Sequence, residues 1–521
     1  MASKLNDDCL YYIFQYLEGD CISLLACLLV DRKWCRSAVP ILWSNPWKYR
    51  KFSKRCYSGA ISIINTYIST LPEETKQGLI HEIIVRPNLM TRIATFEYEK
   101  YMRSLNVFEL EFYVRQWVNY QPVRFDFTAT RRKIRRNKNI SRTATAHQPD
   151  IDRDTRILMS ELLYLFLVNS QKIETLYISD FDKNFSFILK IAEEVPEAKK
   201  CLQKLRHLKI STHQPITSSL TRLSEISRNV EHLEIENCNV NSFELKRLIN
   251  VQNSLKELTL EFVVNQPYQI HNANNVLSEL SSKAKFITRI EIRDAADLFV
   301  ILNSFENLIE LIINNTDKCN LQKWEHLSKV RSLKKLKKLF INNKKGPVYF
   351  KIIADLINRS SCNLDMIVIL TTKPQDPTHI GTLIESISKN CSNLRVFKGL
   401  IGKDHTSEFS LLLQRCNQLK ILHIYPVKTS WGNEICRFDG LLQQMTKYLS
   451  FNLNRLFLEN GWLISEIDLF KHFVEGRKLL DLQKISFYAY QSITYRYQEL
   501  VDICENYREN DYLLDYHFYL K

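Results

Sequence analysis

The sequence predicts an α/β repeat protein preceded by a short all-helical unit, and three observations carry that prediction. A six-residue apolar pattern, L-x-x-L-x-L with Ile or Phe allowed at each Leu, recurs from residue 173 to the 480s. Its second apolar position falls at 176, 208, 233, 258, 290, 311, 339, 367, 397, 422, 456 and 485, intervals of about 28 residues that leave room for a strand, a turn and a helix. Residues 1–45 hold instead three short runs of helical periodicity.

Length and composition agree. A chain of 521 residues exceeds one ordinary compact core, so several domains or a repeat array are expected. With 45% hydrophobic and 25% charged residues and only 11 Gly, it reads as folded. No apolar run reaches the roughly 18 residues a bilayer crossing needs, so no membrane role is expected. Asp7 and Asp8 stand where a secretory leader would be basic and then apolar, so none is expected. Thirteen scattered cysteines without a C-x-x-C suit reduced thiols in the cytoplasm or nucleus, not a disulfide framework or a zinc site.

The first helix is read from "LNDDCLYYIFQYLEGD", where Leu5, Leu10, Ile13, Phe14 and Leu17 share helical spacing, Asn6 or Asp7 can cap and Gly19 stops it. The second, "CISLLACLLVDRKW", is apolar almost without break from Ile22 to Val30. At 100° per residue that covers the whole circumference, so burial on all sides is expected. A third follows in "DRKWCRSAV" until Pro40 interrupts, and "ILW" closes the unit. Three short helices in about 40 residues fall below the size that folds on its own core. A partner protein covering the second helix is the economical solution.

The order Leu5, Asp8, Leu10, Ile13, Leu17, Leu24, Leu25, Val30, Trp34, Leu42, Trp43 resembles an F-box, over residues 4–44. One departure is Asn6, where the family usually has proline after the first leucine. The resemblance implies docking onto the Skp-type adaptor of a cullin–RING ubiquitin ligase through Leu5, Leu10, Ile13, Leu17, Leu24, Leu25, Val30, Trp34, Leu42 and Trp43. The competing reading is a helical cap that hides its apolar face against the following array.

Residues 46–170 are expected to form a helical linker region with a flexible, polar, basic loop near 128–156. Basic charge is concentrated: residues 31–56 and 131–142 carry +7 each and 329–345 carry +8, so against a total of +15 the remainder is −7. Such uneven charge makes nucleic acid an unlikely partner. The run 131–138 reads as solvated charge, and Lys334, Lys335, Lys337 and Lys338 as decoration of a turn and the convex side.

Twelve copies of one pattern identify leucine-rich repeats over 171–493, stacked as a curved parallel sheet with outer helices. The fullest copy, "VEHLEIENCNV", puts Cys238 in its turn, and a weak copy, "IHEIIV" at 80–85, starts the series early. Period-two alternation sends the residues flanking each second apolar position to the concave face. The early rungs are charged, with Glu234, Glu236, Glu257 and Glu261. Later rungs turn apolar, and Phe340, Met366, Val368, Leu370, Ile421, His423, Tyr425 and Phe457 form the expected site for a protein substrate, with Lys338, Lys398 and His423 available as its rim. The aromatic tail 494–521 is expected to cap the array, either covering that patch or leaving it open.

No Gly-rich phosphate loop, H-E-x-x-H or G-x-S-x-G occurs, and no enzyme activity, cofactor or metal is expected. His207 and His232 occupy equivalent positions in successive repeats but lack an evident third ligand. By resemblance, the chain is the non-catalytic substrate receptor of a Skp–cullin–F-box ligase. The alternatives are a repeat scaffold without a ligase role, or a nucleic-acid receptor using the basic clusters.

Overall fold

The computed structural model describes residues 5–48, 57–82, 94–120, 151–179, 183–211, 219–236, 243–261, 274–293, 296–314, 321–331, 333–343, 346–360, 363–371, 377–427, 436–448, 452–479, 485–490, 493–510 and 513–519. Contacts divide the chain into two compact units, Met1–Glu234 with Val251–Ser254, and Ile235–Asn250 with Leu255–Lys521.

The first unit opens with α1 (Asp7–Gln15), α2 (Cys21–Leu28) and α3 (Arg32–Leu42). Each begins where a short side chain satisfies an orphan N–H of the first turn. Oδ1 of Asn6 accepts from the Cys9 N–H at 2.8 Å, that of Asp20 from Ser23 at 3.1 Å and that of Asp31 from Trp34 at 2.8 Å. Gly19, at φ +107°, occupies a backbone region closed to most L-residues between α1 and α2. Proline does not stop α3. Pro40 removes one N–H late in the helix, and burial of Ile41 and Leu42 in the helical core offsets that loss.

That core consists of Leu10, Phe14, Leu24, Cys27, Ala38, Ile41 and Leu42, with Leu5, Leu17, Cys21, Leu28, Trp34 and Trp43 packed against it. The second helix is not buried on all sides. Leu24 is 0% exposed, whereas Ile22 is 83% and Leu29 88% exposed. Eight residues flanked by two short neighbours have only one face to hide.

Next come α4 (Tyr57–Thr70), α5 (Glu73–His81), a 3-10 turn (Tyr98–Tyr101), β1 (Ser104–Asn106), α6 (Val107–Tyr120) and α7 (Ile151–Asn169). The expected helical linker therefore contains a strand, and Leu105 pairs in parallel register with Leu176. The expected early copy "IHEIIV" ends a helix instead, since Ile80 and His81 belong to α5, and its last three residues lie outside the described residues. Of the expected basic loop, 151–156 begin α7, while residues to 150 lie outside those described. Trp43 ties the opening helices to this region, its ring 5.2 Å from that of Tyr67 and 4.2 Å from that of Tyr98.

The repeats follow as β2 (Thr175–Ser179), α8 (Lys183–Glu194), α9 (Pro196–Leu202), β3 (His207–Ser211), α10 (Ser219–Ile226) and β4 (His232–Glu236). The series continues as α11 (Phe243–Asn250), β5 (Glu257–Glu261), α12 (Asn274–Lys283), β6 (Arg289–Arg293), a 3-10 helix (Ala296–Ser304) and β7 (Glu310–Asn314). After these come α13 (Leu321–Ser328), β8 (Lys338–Asn343), α14 (Phe350–Arg359), β9 (Met366–Thr371), α15 (His379–Asn390) and β10 (Val396–Ile401). Then follow α16 (Thr406–Arg415), β11 (Ile421–Pro426), β12 (Cys436–Arg437), α17 (Asp439–Lys447), β13 (Arg455–Leu458) and β14 (Trp462–Leu463). The last elements are α18 (Ile467–Leu479), β15 (Ile485–Tyr490), α19 (Tyr497–Glu509) and β16 (Leu513–Tyr519).

Among the described residues the strands of each unit lie side by side in chain order, β1 to β3 in the first and β5 to β11, β13, β15 and β16 in the second, while β12 and β14 pair with each other. Parallel strands separated by helices are the strand–helix solenoid that the periodicity predicted. The apolar positions align from Leu258 through Ile290, Leu311, Leu339, Ile367, Phe397 and Leu422 to Leu456. Each is buried, because one six-residue strand alone cannot hide its apolar row and the neighbouring rows must do so.

The final copy departs from the expected register. Leu456 faces Phe487 rather than Ile485, so the expected Lys484/Ser486 rung becomes Ser486/Tyr488, and Lys484 lies outside the described residues. A tail folded across the apolar rungs is also not what forms. Leu500, Cys504 and Tyr507 bury the inner face of α19, and β16 extends the sheet beside β15, with His517 opposite Tyr488.

Candidate interaction surfaces

The three opening helices leave a large part of their apolar residues uncovered. Exposed are Tyr12, Ile13 and Tyr16 on and just after α1, and Ile22, Leu25, Leu29 and Val30 on and just after α2. On α2, residues 22, 25 and 29 recur at i, i+3, i+7, the face opposite Leu24 and Cys27. Soluble monomers seldom leave such a group in water.

The ten residues singled out by resemblance fall into three environments. Leu10, Leu24 and Leu42 are buried inside the helical core, while Leu5, Leu17, Trp34 and Trp43 are partly buried against it. Trp34 packs on Phe14 at 5.1 Å. Ile13, Leu25 and Val30 face solvent. Sequence reasoning passed over Tyr12, Tyr16, Ile22 and Leu29, although the two faces of α2 could have been told apart by placing Leu24 and Cys27 inward.

The early rungs of the sheet are charged and internally paired. In the first unit Lys209 Nζ lies 2.9 Å from Glu234 Oε1 and 5.0 Å from the Tyr177 ring centre. In the second, Arg289 reaches Glu257 at 3.4 Å, Glu291 at 3.3 Å and Glu310 at 3.2 Å. Arg293 reaches Glu291 at 2.7 Å and Glu236 at 3.1 Å, and Asn314 donates to Glu291 at 2.7 Å. Lys338, expected both as decoration of a turn and the convex side and as rim of the apolar rungs, stands on β8 and reaches Glu310 at 3.4 Å. This network meets its own charges, so it is poorly disposed to attract a charged partner.

The later rungs are apolar and aromatic. Register aligns Ile312, Phe340, Val368, Lys398, His423, Phe457 and Tyr488 along one row, and Met366, Val396, Ile421 and Arg455 along the adjacent one. Leu370 and Tyr425 lie on the same face by alternation. All eight expected substrate residues are half-buried. Phe457 stacks on Tyr488 at 4.3 Å and on His423 at 5.0 Å, and His423 stacks on Tyr425 at 4.9 Å. Glu459 Oε1 holds His423 Nε2 at 2.7 Å, and Lys398 Nζ sits 5.5 Å from the Tyr425 ring centre. Tyr488 escaped the sequence reading because the last motif was assigned two residues out of register.

His207, His232 and Glu234 bring three donor atoms within 4.8 Å of one another. The two imidazoles are stacked at 4.2 Å with 5° between their planes. Their in-plane lone pairs therefore run parallel instead of converging on one ion, and Glu234 is engaged by Lys209. The arrangement suits a stacked rung better than a metal centre. Among the described residues no helix is long and apolar enough to cross a membrane.

No protein-family model matches the chain, and no curated protein sequence matches it. Among solved structures it is similar to the crystal structure of the Rad7 and Elc1 complex in yeast, at 10% identity and a TM-score of 0.31, over 65% of this chain and 80% of that one. Likeness at that level carries no argument about function. The fold itself defines a class, a repeat protein of parallel strand–helix units.

Proposed function

We propose that the chain is a non-catalytic substrate receptor, an F-box protein that binds a Skp-type adaptor of a cullin ubiquitin ligase through α1–α3 and a target protein through the apolar rungs of its repeats. The observation that carries this reading is the uncovered apolar surface of α1 and α2, where Tyr16 is 91% and Leu29 88% exposed. A helical cap that hid its apolar face against the array would bury these residues. Asn6, which departs from the family's proline, serves as the N-cap of α1 and so keeps the helix start that the proline would otherwise set.

The aromatic row supports the second half of the reading. Rings held by their neighbours lose little entropy on contact and make good anchors. Co-purification from cells tests both halves. Leu29→Asp in the tagged full chain should remove adaptor and cullin while the repeats stay folded. Met366→Glu with Val368→Glu should remove the target while the adaptor stays bound. Retention of the adaptor by folded Leu29→Asp would reject the ligase role and favour a scaffold.

A further inference from the structure

In the first unit, α4, α5 and the segment before β1 line an open pocket of about 580 Å³ that the docking surfaces do not use. Its walls include Glu73, Lys76, Phe96, Glu97, Glu99 and Tyr101. Glu99 is only 6% exposed, and its Oε2 is fully buried with no hydrogen-bond partner. Lys76 Nζ lies 3.8 Å from Glu73, and Lys100 Nζ lies 2.5 Å from Glu97 while its charge also acts on Glu99.

A buried carboxyl oxygen without a partner is costly and calls for an explanation. Burial pushes the Glu99 carboxyl up, and its own backbone N–H, then the Thr70 hydroxyl, draw it only partly back. The Tyr101 phenol is raised by burial and then by Glu97 and Glu99, and the fully buried Tyr67 phenol by burial and then by Glu99. Among the walls three carboxylates, Glu73, Glu97 and Glu99, face one ammonium, Lys76, so the lining carries excess negative charge. Phe96 and Tyr101 add aromatic surface, which also favours a cation.

We infer that this pocket is a binding site for an alkylammonium group, with Glu99 as its counter-ion and Phe96 and Tyr101 as its aromatic walls. A hard divalent ion fits less well, since it needs six to eight oxygen ligands at about 2.1–2.6 Å and gains nothing from aromatic faces. The volume leaves room for a small amine or an inserted lysine side chain together with water. The inference is independent of adaptor docking.

Isothermal titration of the full chain tests it. n-Butylammonium should bind saturably at one site, in about the millimolar range for so small a ligand, and n-butanol should not bind. Glu99→Gln preserves shape and removes the charge, so it should weaken butylammonium about tenfold while the melting temperature stays at or above the wild-type value. Phe96→Leu, which removes a ring without touching a charge, should weaken it several-fold and serves if Glu99→Gln misfolds. The peptide acetyl-Gly-Lys-Gly-amide distinguishes the sources: tighter binding than butylammonium assigns a lysine of a partner protein, and equal binding assigns a free amine. Absence of saturable binding, undiminished affinity in both variants, or saturation by Ca²⁺ but not by butylammonium would overturn the inference.

Discussion

Leu24 and Leu25 are adjacent in sequence and opposite in role. Leu24 is fully enclosed by the three-helix core and Leu25 is 49% exposed, so the same substitution should act differently at each. Leu24→Asp places an unpaired charge in that core at a cost of several kcal/mol and should make residues 5–48 sensitive to limited proteolysis. Leu25→Asp should leave the proteolysis pattern unchanged. The thiols offer a second residue-scale check. Burial raises Cys201 to about 11 and both Cys416 and Cys504 to about 12, so these stay protonated and unreactive near neutral pH. A thiol reagent at pH 8 should label exposed Cys9 quickly and these three only after denaturation. Rapid labelling of Cys416 in the native chain would show that the α15–α16 region opens far more easily than its packing implies.

The repeat strands and the capped start of α1 were legible element by element. The second apolar positions from Leu176 to Leu456 all lie on the buried sides of strands, because strand alternation is a strong local signal. Asn6, one of the two caps the sequence offered, starts α1, whereas Asp20 and Asp31 were not singled out although they cap α2 and α3 in the same way. What else escaped depended on tertiary context. β1 is only three residues, "SLN", with no motif, and it is a strand because Leu105 pairs with Leu176. The helix end at Pro40 was overruled by burial of Ile41 and Leu42. Within the sheet, Arg289 bridges carboxylates on three strands, so Arg289→Ala leaves Glu291, 7% exposed, with less compensation. Urea denaturation should report a loss of about 2–3 kcal/mol, and a loss below about 0.5 kcal/mol would class the rung as ordinary surface pairing.

At the scale of the whole molecule, stacked units depend on their neighbours, and an end unit protects the one before it. Removing residues 494–521 takes away α19 and β16 together, which leaves the hydrogen-bonding edge of β15 unpaired and uncovers the partners of Leu500 and Cys504. The truncated chain should aggregate and melt at a lower temperature. It should gain no substrate affinity, since the tail extends the sheet and leaves the His423–Phe457–Tyr488 row as it was. A soluble truncated chain with tighter substrate binding would restore the covering role for the tail.

If the apolar surface on α1 and α2 is the adaptor's seat, isothermal titration of the full chain with purified Skp-type adaptor reads it directly. Wild-type protein should bind one adaptor per chain with a large negative heat-capacity change, the mark of apolar burial. Leu25→Asp, folded by the proteolysis criterion, should bind at least about a hundredfold more weakly, since a charge must be desolvated in the contact. Absence of binding by the wild-type chain, or equal affinity in Leu25→Asp, would rule out this surface as the adaptor's seat.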